Sequence, residues 1–285
     1  MSRRSHRLKT CAAGLLLCGF LTGHSTNSAA GGEEIVDVEL VLAVDVSLSM
    51  SPDELIIQRD GYAAALTDPV VLGAILDGAH GKIAVTYLEW AGASAQQVVV
   101  PWSVIASPED ARAFVAKMTA TPPRSARRTS ISAAIEFAAT QFDSSGFRGM
   151  KRVIDVSGDG PNNQGGAVHL ARNKVVETGI TINGLPLMTN GGGMATAYDI
   201  TNLDKYYADC VIGGPGAFMI PVNDWSQFPE AIRRKLVLEL ADSRHPLRSA
   251  MEAEFPPVVP ALASFASDCE IGEKMWNNRS WMDLQ

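Results

Sequence analysis

Apolar positions along this chain recur at two spacings in turn, every second residue and then every third or fourth. Each change of spacing marks the edge of an element. Residues 35–44, IVDVELVLAV, begin with alternation at Val36, Val38 and Leu40 and close as a continuous apolar run. That is the pattern of a strand entering a parallel sheet covered on both faces. A helical period follows over 51–68, where Leu55, Tyr62 and Leu66 share one face. Ser51 with Glu54 three residues later makes a capping box, and Pro52 takes the first helical position. Residues 82–90 and 96–102 form two strands joined by the short turn AGASA. A link that brief makes a hairpin, so one of the two is an antiparallel edge strand.

Helices are predicted over 107–120, 130–142 and 166–179, the last closed by Gly179. Strands are predicted over 150–157 and 180–187, with a short further strand near Phe218 to Val222 and a final helix over 225–241. Residues 190–199, NGGGMATAYD, are too rich in glycine for regular structure. After Asp242 the chain becomes Pro-rich and loses any clear period. There is no internal repeat. The order β-α-β-β-α-α-β-α-β-(β)-α predicts an α/β layer fold with a mostly parallel central sheet, one antiparallel edge strand and helices on both faces.

The first thirty residues stand outside that pattern. Arg3, Arg4, Arg7 and Lys9 precede the apolar stretch CAAGLLLCGFLTG, and a small-residue region follows it. This is the layout of a secretory signal peptide, with cleavage expected near Ala30. The alternative is a membrane anchor, for which the apolar run falls short of the ~20 residues needed to span a bilayer. The expected arrangement is therefore a signal segment at 1–30, one domain over 31–242 and a Pro-rich tail at 243–285. Cleavage would remove four basic and no acidic side chains, taking the formal net charge from −7 to −11. So acidic a protein is a poor partner for nucleic acid or anionic lipid. Four cysteines would become two, Cys210 and Cys269. In an oxidising compartment such a pair is expected as a disulfide, the alternative being two separate thiols.

Candidate chemistry gathers where the predicted parallel strands end, the edge at which open α/β sheets carry their functional loops. Asp45, Ser47 and Ser49 follow the first strand at alternate positions. Thr129 directly precedes the helix at 130–142, and Asp159 follows the strand at 150–157. Two carboxylates and three hydroxyls, all oxygen, suit a hard cation. Each element has a plainer alternative. Asp-x-Ser-x-Ser is ordinary turn chemistry, Ser49 and Thr129 could serve as helix caps, and Asp159 in GDGPNN could make an Asx turn. The case rests on all three occurring in order at one edge.

That ordered set resembles the von Willebrand factor type A domain, a Rossmann-like fold with a metal-ion-dependent adhesion site. The family's Asp-x-Ser-x-Ser matches Asp45, Ser47 and Ser49. Its helix-opening threonine matches Thr129 in RRTSISAAI, and its later aspartate matches Asp159 in VIDVSGDGPNN. The resemblance covers about residues 35–241. One departure is that two arginines precede Thr129 where many relatives have glycine. The stretch YYADCVIGGPGAF also resembles a group of exported bacterial proteins of this fold whose function is unassigned. The resemblance implies that the serines and threonine bind the metal directly or nearly so, that the aspartates often act through water, and that a partner's carboxylate completes the coordination. Mg²⁺ is the expected ion, with Mn²⁺ and Ca²⁺ the other candidates. Arg127 and Arg128, beside Thr129, would guide an acidic partner residue at the rim.

Catalytic alternatives have less support. VSGDG is not a Gly-x-Ser-x-Gly nucleophile elbow, and no phosphate-cradling Gly-x-x-x-x-Gly-Lys loop is present. His80, His169 and His245 have no evident nucleophile partner. The expectation is an exported, metal-dependent protein-binding module with no stable membrane anchor, and not an enzyme. A hydrolase using Asp45 and a scaffold with an unused site remain the alternatives.

Overall fold

Every residue from Val36 to Asp45 is buried, which places β1 (Glu34–Asp45) in the middle of a sheet. In the computed structural model, residues 33–189, 200–240, 258–261 and 267–282 are described. The expected signal segment, the glycine-rich stretch 190–199 and much of the Pro-rich stretch lie outside them. Seven strands run in the order β3-β2-β1-β4-β5-β6-β7. They are β1, β2 (Ile83–Trp90), β3 (Gln96–Ile105), β4 (Phe147–Gly158), β5 (Thr181–Pro186), β6 (Phe218–Met219) and β7 (Val259–Pro260). Neighbours from β2 through β6 pair in parallel, with β1 between β2 and β4. β3 and β7 are antiparallel and lie at the two edges. The expected hairpin is therefore β2–β3, and a second antiparallel edge accompanies it.

The continuous apolar run of β1 serves two cores. Val38, Leu40, Leu42 and Val44 face one side of the sheet, while Val41 and Ala43 face the other. The first side is covered by α1 (Pro52–Leu66), α2 (Pro69–Leu76), α3 (Pro108–Met118) and α7 (Phe228–Leu240). The second is covered by α4 (Ile131–Gln141), α5 (Val168–Glu177), α6 (Leu203–Tyr206) and the wide turn Tyr207–Val211.

Local chemistry sets the helix starts. The Ser51 capping box forms at α1 as expected. The helix expected over 51–68 is α1, and a further helix not read from sequence, α2, follows it at once, capped by Asp68, whose carboxylate accepts from the amides of Val70 and Val71. Gly61 lets α1 lie against α7, since a Cβ there would sit 2.6 Å from the Phe228 ring.

Beyond the elements read from sequence lie α6, the turn after it, β7 and a last helix, α8 (Ile271–Met282). Cys210 and Cys269 form a disulfide across 59 residues. It ties the segment leading into α8 onto the second core. Ser267 adds to the tie by donating from its amide and hydroxyl to Asp209, at 2.9 and 2.6 Å. In the chain-entropy picture a loop of this size stabilises the fold by roughly 4 kcal/mol. A Cys210→Ser/Cys269→Ser double variant is expected to lose about that much in urea unfolding. An unchanged midpoint would mean that the bridge constrains nothing.

Candidate metal centre

β1 and β4 are parallel neighbours with Val44 opposite Ser157. Their C-terminal ends thus leave the sheet side by side and deliver Asp45 and Asp159 to one place. Backbone hydrogen bonds then draw in a third loop. Beyond β1, the Ala126 amide donates to Val46 O (3.0 Å) and the Leu48 amide to Ala126 O (2.9 Å). The Ser130 amide reaches Ala91 O at the end of β2 (2.8 Å). Thr129 and Asn163 clasp each other. The Asn163 amide donates to Thr129 O (2.8 Å), and the Thr129 amide donates to Asn163 Oδ1 (3.0 Å). Segments that run from Val46 to Asn163 in the sequence are laced into one rim.

The side chains inside that rim touch in series. Asp45 is fully buried, and its Oδ1 accepts from the Ser47 amide at 2.7 Å. The Ser47 and Ser49 hydroxyls are 2.8 Å apart, and Ser49 donates to Asp159 Oδ1 at 2.8 Å. Ser47, Ser49, Thr129 and Asp159 line one cavity of about 390 Å³, together with Arg127 and Arg128. Asp45 lies behind these residues rather than in the cavity wall. The hydroxyls are not used as caps. Ser130, not Thr129, accepts from Ala133 at the start of α4, and Ser51, not Ser49, caps α1. Ser49 and Thr129 are left to the cavity.

The electrostatics fit a cation. Burial pushes the Asp45 carboxyl well above the usual carboxylate range, the charge of Asp159 pushes the same way, and the hydrogen bond from Ser47 opposes both. Asp45 Oδ2 is buried without a hydrogen-bond partner, as is the Tyr207 hydroxyl. Both crowd Gly158, where a Cβ would meet them at 3.0 and 2.8 Å. Two repelling carboxylates and an unsatisfied buried oxygen are what a divalent ion would relieve. The donor set is oxygen only. Among the described residues, no group of three or more His, Cys, Asp or Glu side chains could form a rival centre.

The two arginines differ. Arg127 is exposed at the rim, whereas Arg128 is half-buried with its guanidinium over the Trp276 ring of α8, 3.1 Å from the centroid. Arg128 is also, among the described residues, the one non-glycine residue with positive φ, at 75°. That conformation costs a side-chain-bearing residue about 1–3 kcal/mol unless its surroundings hold it. An arginine thus holds a backbone conformation that glycine adopts freely.

Sequence reasoning missed three contributors. Asn163 clasps Thr129. Asn162 is fully buried and accepts from the Ser132 amide through Oδ1 (3.0 Å). Its Nδ2 donates to Gly166 O (3.1 Å) and Glu273 Oε1 (2.6 Å). Trp276 lines the cavity from the far end of the chain. The available signal was the Asn pair after Pro161, which reads equally well as a turn.

Comparison with known proteins agrees on the fold. A family model described as "Protein of unknown function (DUF1194)" matches residues 35–244. No curated protein matches the chain. Proximal thread matrix protein 1 from the mussel byssus is similar at 15% identity and a TM-score of 0.51, over 73% of this chain and 49% of that one. The pilus adhesin SpaC from Lactobacillus rhamnosus GG is similar at 11% identity and a TM-score of 0.50, over 72% of this chain and 31% of that one. A von Willebrand factor type A protein from Catenulispora acidiphila gives 14% identity and a TM-score of 0.47, over 72% of this chain and 43% of that one. The match spans about half of the mussel protein and about a third of the adhesin. The likeness is one of fold, and the fold is that of von Willebrand factor type A domains.

Proposed function

The chain belongs to the DUF1194 family of proteins of unknown function, and on that footing we propose that it is an exported protein-binding module working through a divalent cation. Asp45, Ser47, Ser49, Thr129 and Asp159 would hold the ion, and Mg²⁺ suits the donor set best. The observation that carries the reading is the Ser47–Ser49–Asp159 series of hydroxyl contacts beside the unsatisfied Asp45 Oδ2. It joins two strand ends into one oxygen-lined cavity. When bound, the ion would supply attraction for an anionic group. Asp45 and Asp159 together offset a divalent charge, and three hydroxyls add only dipoles. The start of α4 and the exposed Arg127 add positive potential at the same rim. An acidic side chain of a partner protein fits that edge.

Binding is favoured over turnover by what surrounds the cavity. No His, Cys, Glu or Lys is among its lining residues. Asp45 is fully buried behind the serines, out of reach as a nucleophile. Export is supported by the sequence of residues 1–30 and by the disulfide. No helix among the described residues is long and apolar enough to cross a membrane.

The test is capture of partners from periplasmic extract with Mg²⁺ and with EDTA. A partner retained only with Mg²⁺ is expected. One Glu→Gln or Asp→Asn change on that partner should abolish the metal-dependent part of binding. Arg127→Ala should lower the on-rate and its salt dependence while leaving the off-rate near wild type. Binding that survives neutralisation of each interface acid in turn would rule out a carboxylate bridge. Metal-dependent turnover of a phosphate or ester panel, lost in Ser49→Ala, would replace the binding reading with an enzymatic one.

A further inference from the structure

The last helix of the chain reaches the rim of the metal centre from the opposite end of the sequence. Two contacts dock α8 on the loop that follows β4, and a third joins it to the loop before α4. Gly272 lies so close that a Cβ would be 2.1 Å from Asn162 O. Glu273 accepts from Asn162 Nδ2 at 2.6 Å. Trp276 lies under the Arg128 guanidinium and forms part of the cavity wall. The disulfide at Cys269 fixes the segment just before the helix.

Arg128 is where this docking meets the site. Its φ of 75° belongs to the region that glycine enters freely and other residues rarely do. Its neighbours limit any escape. A Cβ on Gly92 would be 2.7 Å from Arg127 O and 3.1 Å from Arg128 Cβ, so the loop already presses on the β2 end as closely as a glycine allows. The next residue is Thr129, whose amide is committed to Asn163 Oδ1. A relaxation of Arg128 to negative φ would rotate the peptide that carries that amide, and would turn Thr129 away from the cavity.

We propose that Trp276 is a positioning residue of the metal centre. Its ring holds the Arg128 side chain, the side chain holds the left-handed backbone, and the backbone aims Thr129. The inference rests on the reading of the site as a metal centre, but the positioning itself is measurable without metal.

The test uses the full mature chain as wild type, Trp276→Ala, Trp276→Phe, Arg128→Gly and the Trp276→Ala/Arg128→Gly pair. Hydrogen exchange at the Thr129 amide is read in EDTA, and Mg²⁺ binding is read by calorimetry. Trp276→Ala is expected to speed exchange at Thr129 and weaken Mg²⁺ binding, each by about tenfold, the scale of one half-buried cation–π contact. Trp276→Phe keeps a ring and should recover most of both. Arg128→Gly needs no support for positive φ and should match or exceed wild-type affinity, since it also removes a cation. The decisive result is the pair: adding Trp276→Ala to Arg128→Gly should change neither readout by more than about twofold. A pair as defective as Trp276→Ala alone would overturn the inference, as would wild-type exchange and affinity in Trp276→Ala. If wild type binds no Mg²⁺, the metal reading fails, and Thr129 exchange in the same four variants still decides whether Trp276 positions the loop. Should Trp276→Ala lose the Cys210–Cys269 bridge or the wild-type circular dichroism, Trp276→Phe decides: a residual defect that vanishes when Arg128→Gly is added supports the inference, and one that persists, or none at all, overturns it.

Discussion

Asp45→Ala is expected to abolish Mg²⁺ binding in calorimetry and leave the fold intact. The side chain is the innermost donor of the site, with Oδ1 engaged by the Ser47 amide and Oδ2 unsatisfied. Removing it leaves Asp159 as the one formal charge against a divalent ion that dehydrates reluctantly. The loss should therefore exceed that of Ser47→Ala or Ser49→Ala, which delete dipoles and not charge. Stability gives an independent readout. A ligand at about a hundred times its dissociation constant stabilises the folded state by roughly 2.7 kcal/mol. Wild type should gain on that scale when Mg²⁺ is added, and the variant should gain nothing. In EDTA the variant should be no less stable than wild type. The deleted group is a fully buried carboxyl that burial and Asp159 both push toward its neutral form. A variant that binds Mg²⁺ with wild-type affinity would remove Asp45 from the site. A variant that unfolds in EDTA would make it a structural residue first.

How far this site could be read from sequence differs from residue to residue, and the reasons are physical. Asp45, Ser47 and Ser49 are visible because a strand alternates its side chains, and the alternation persists just past the strand end. Thr129 and Asp159 are visible only through their order, since a hydroxyl before a helix and an aspartate after a strand have commoner uses. Ser51 was already legible as the cap of α1, but it took the structure to show that Ser130, and not Thr129, caps α4. Asn162 and Asn163 were not legible. Each acts through amide hydrogen bonds to other loops, and nothing in PNN separates that from a turn. The fold follows the same division. β1, β2 and β4 are long and periodic, and the five-residue turn between β2 and β3 fixed the antiparallel edge. β7 has two residues in a Pro-rich stretch, where pattern has no length over which to act. α8 docks through a glycine, a glutamate and a tryptophan rather than an apolar stripe, so its sequence IGEKMWNNRSWM carries no helical period to find.

Lys235→Met is expected to destabilise the protein by about 3–5 kcal/mol, more at higher pH, because it strands buried carboxylates. Lys235 on α7 is fully buried, with its Nζ 2.8 Å from Asp155 Oδ1 on β4 and also paired with Glu239. Asn183 Nδ2 donates to Glu239 at 2.9 Å, and Asn183 Oδ1 accepts from the Phe218 amide at 3.1 Å, so the cluster also anchors β6. One ammonium faces two carboxylates in a dry core. Burial lifts the Asp155 carboxyl to about 7 and Glu239 adds to the lift, while Lys235 pulls it down. In the unfolded chain the same group titrates near 3.8. Between those two values the folded state binds the proton more strongly. Its contribution to stability is therefore present at low pH and is lost as pH rises through about 7. Without the ammonium the folded carboxyl moves higher still. The cost of Lys235→Met relative to wild type should then be smaller near about pH 5 and larger near about pH 8, as read from urea unfolding at each. Asp155→Asn added to Lys235→Met removes a stranded charge and should recover part of the loss and flatten the pH slope. An equal cost at both pH values would show that Lys235 contributes packing alone and that the carboxylates are neutralised by other means.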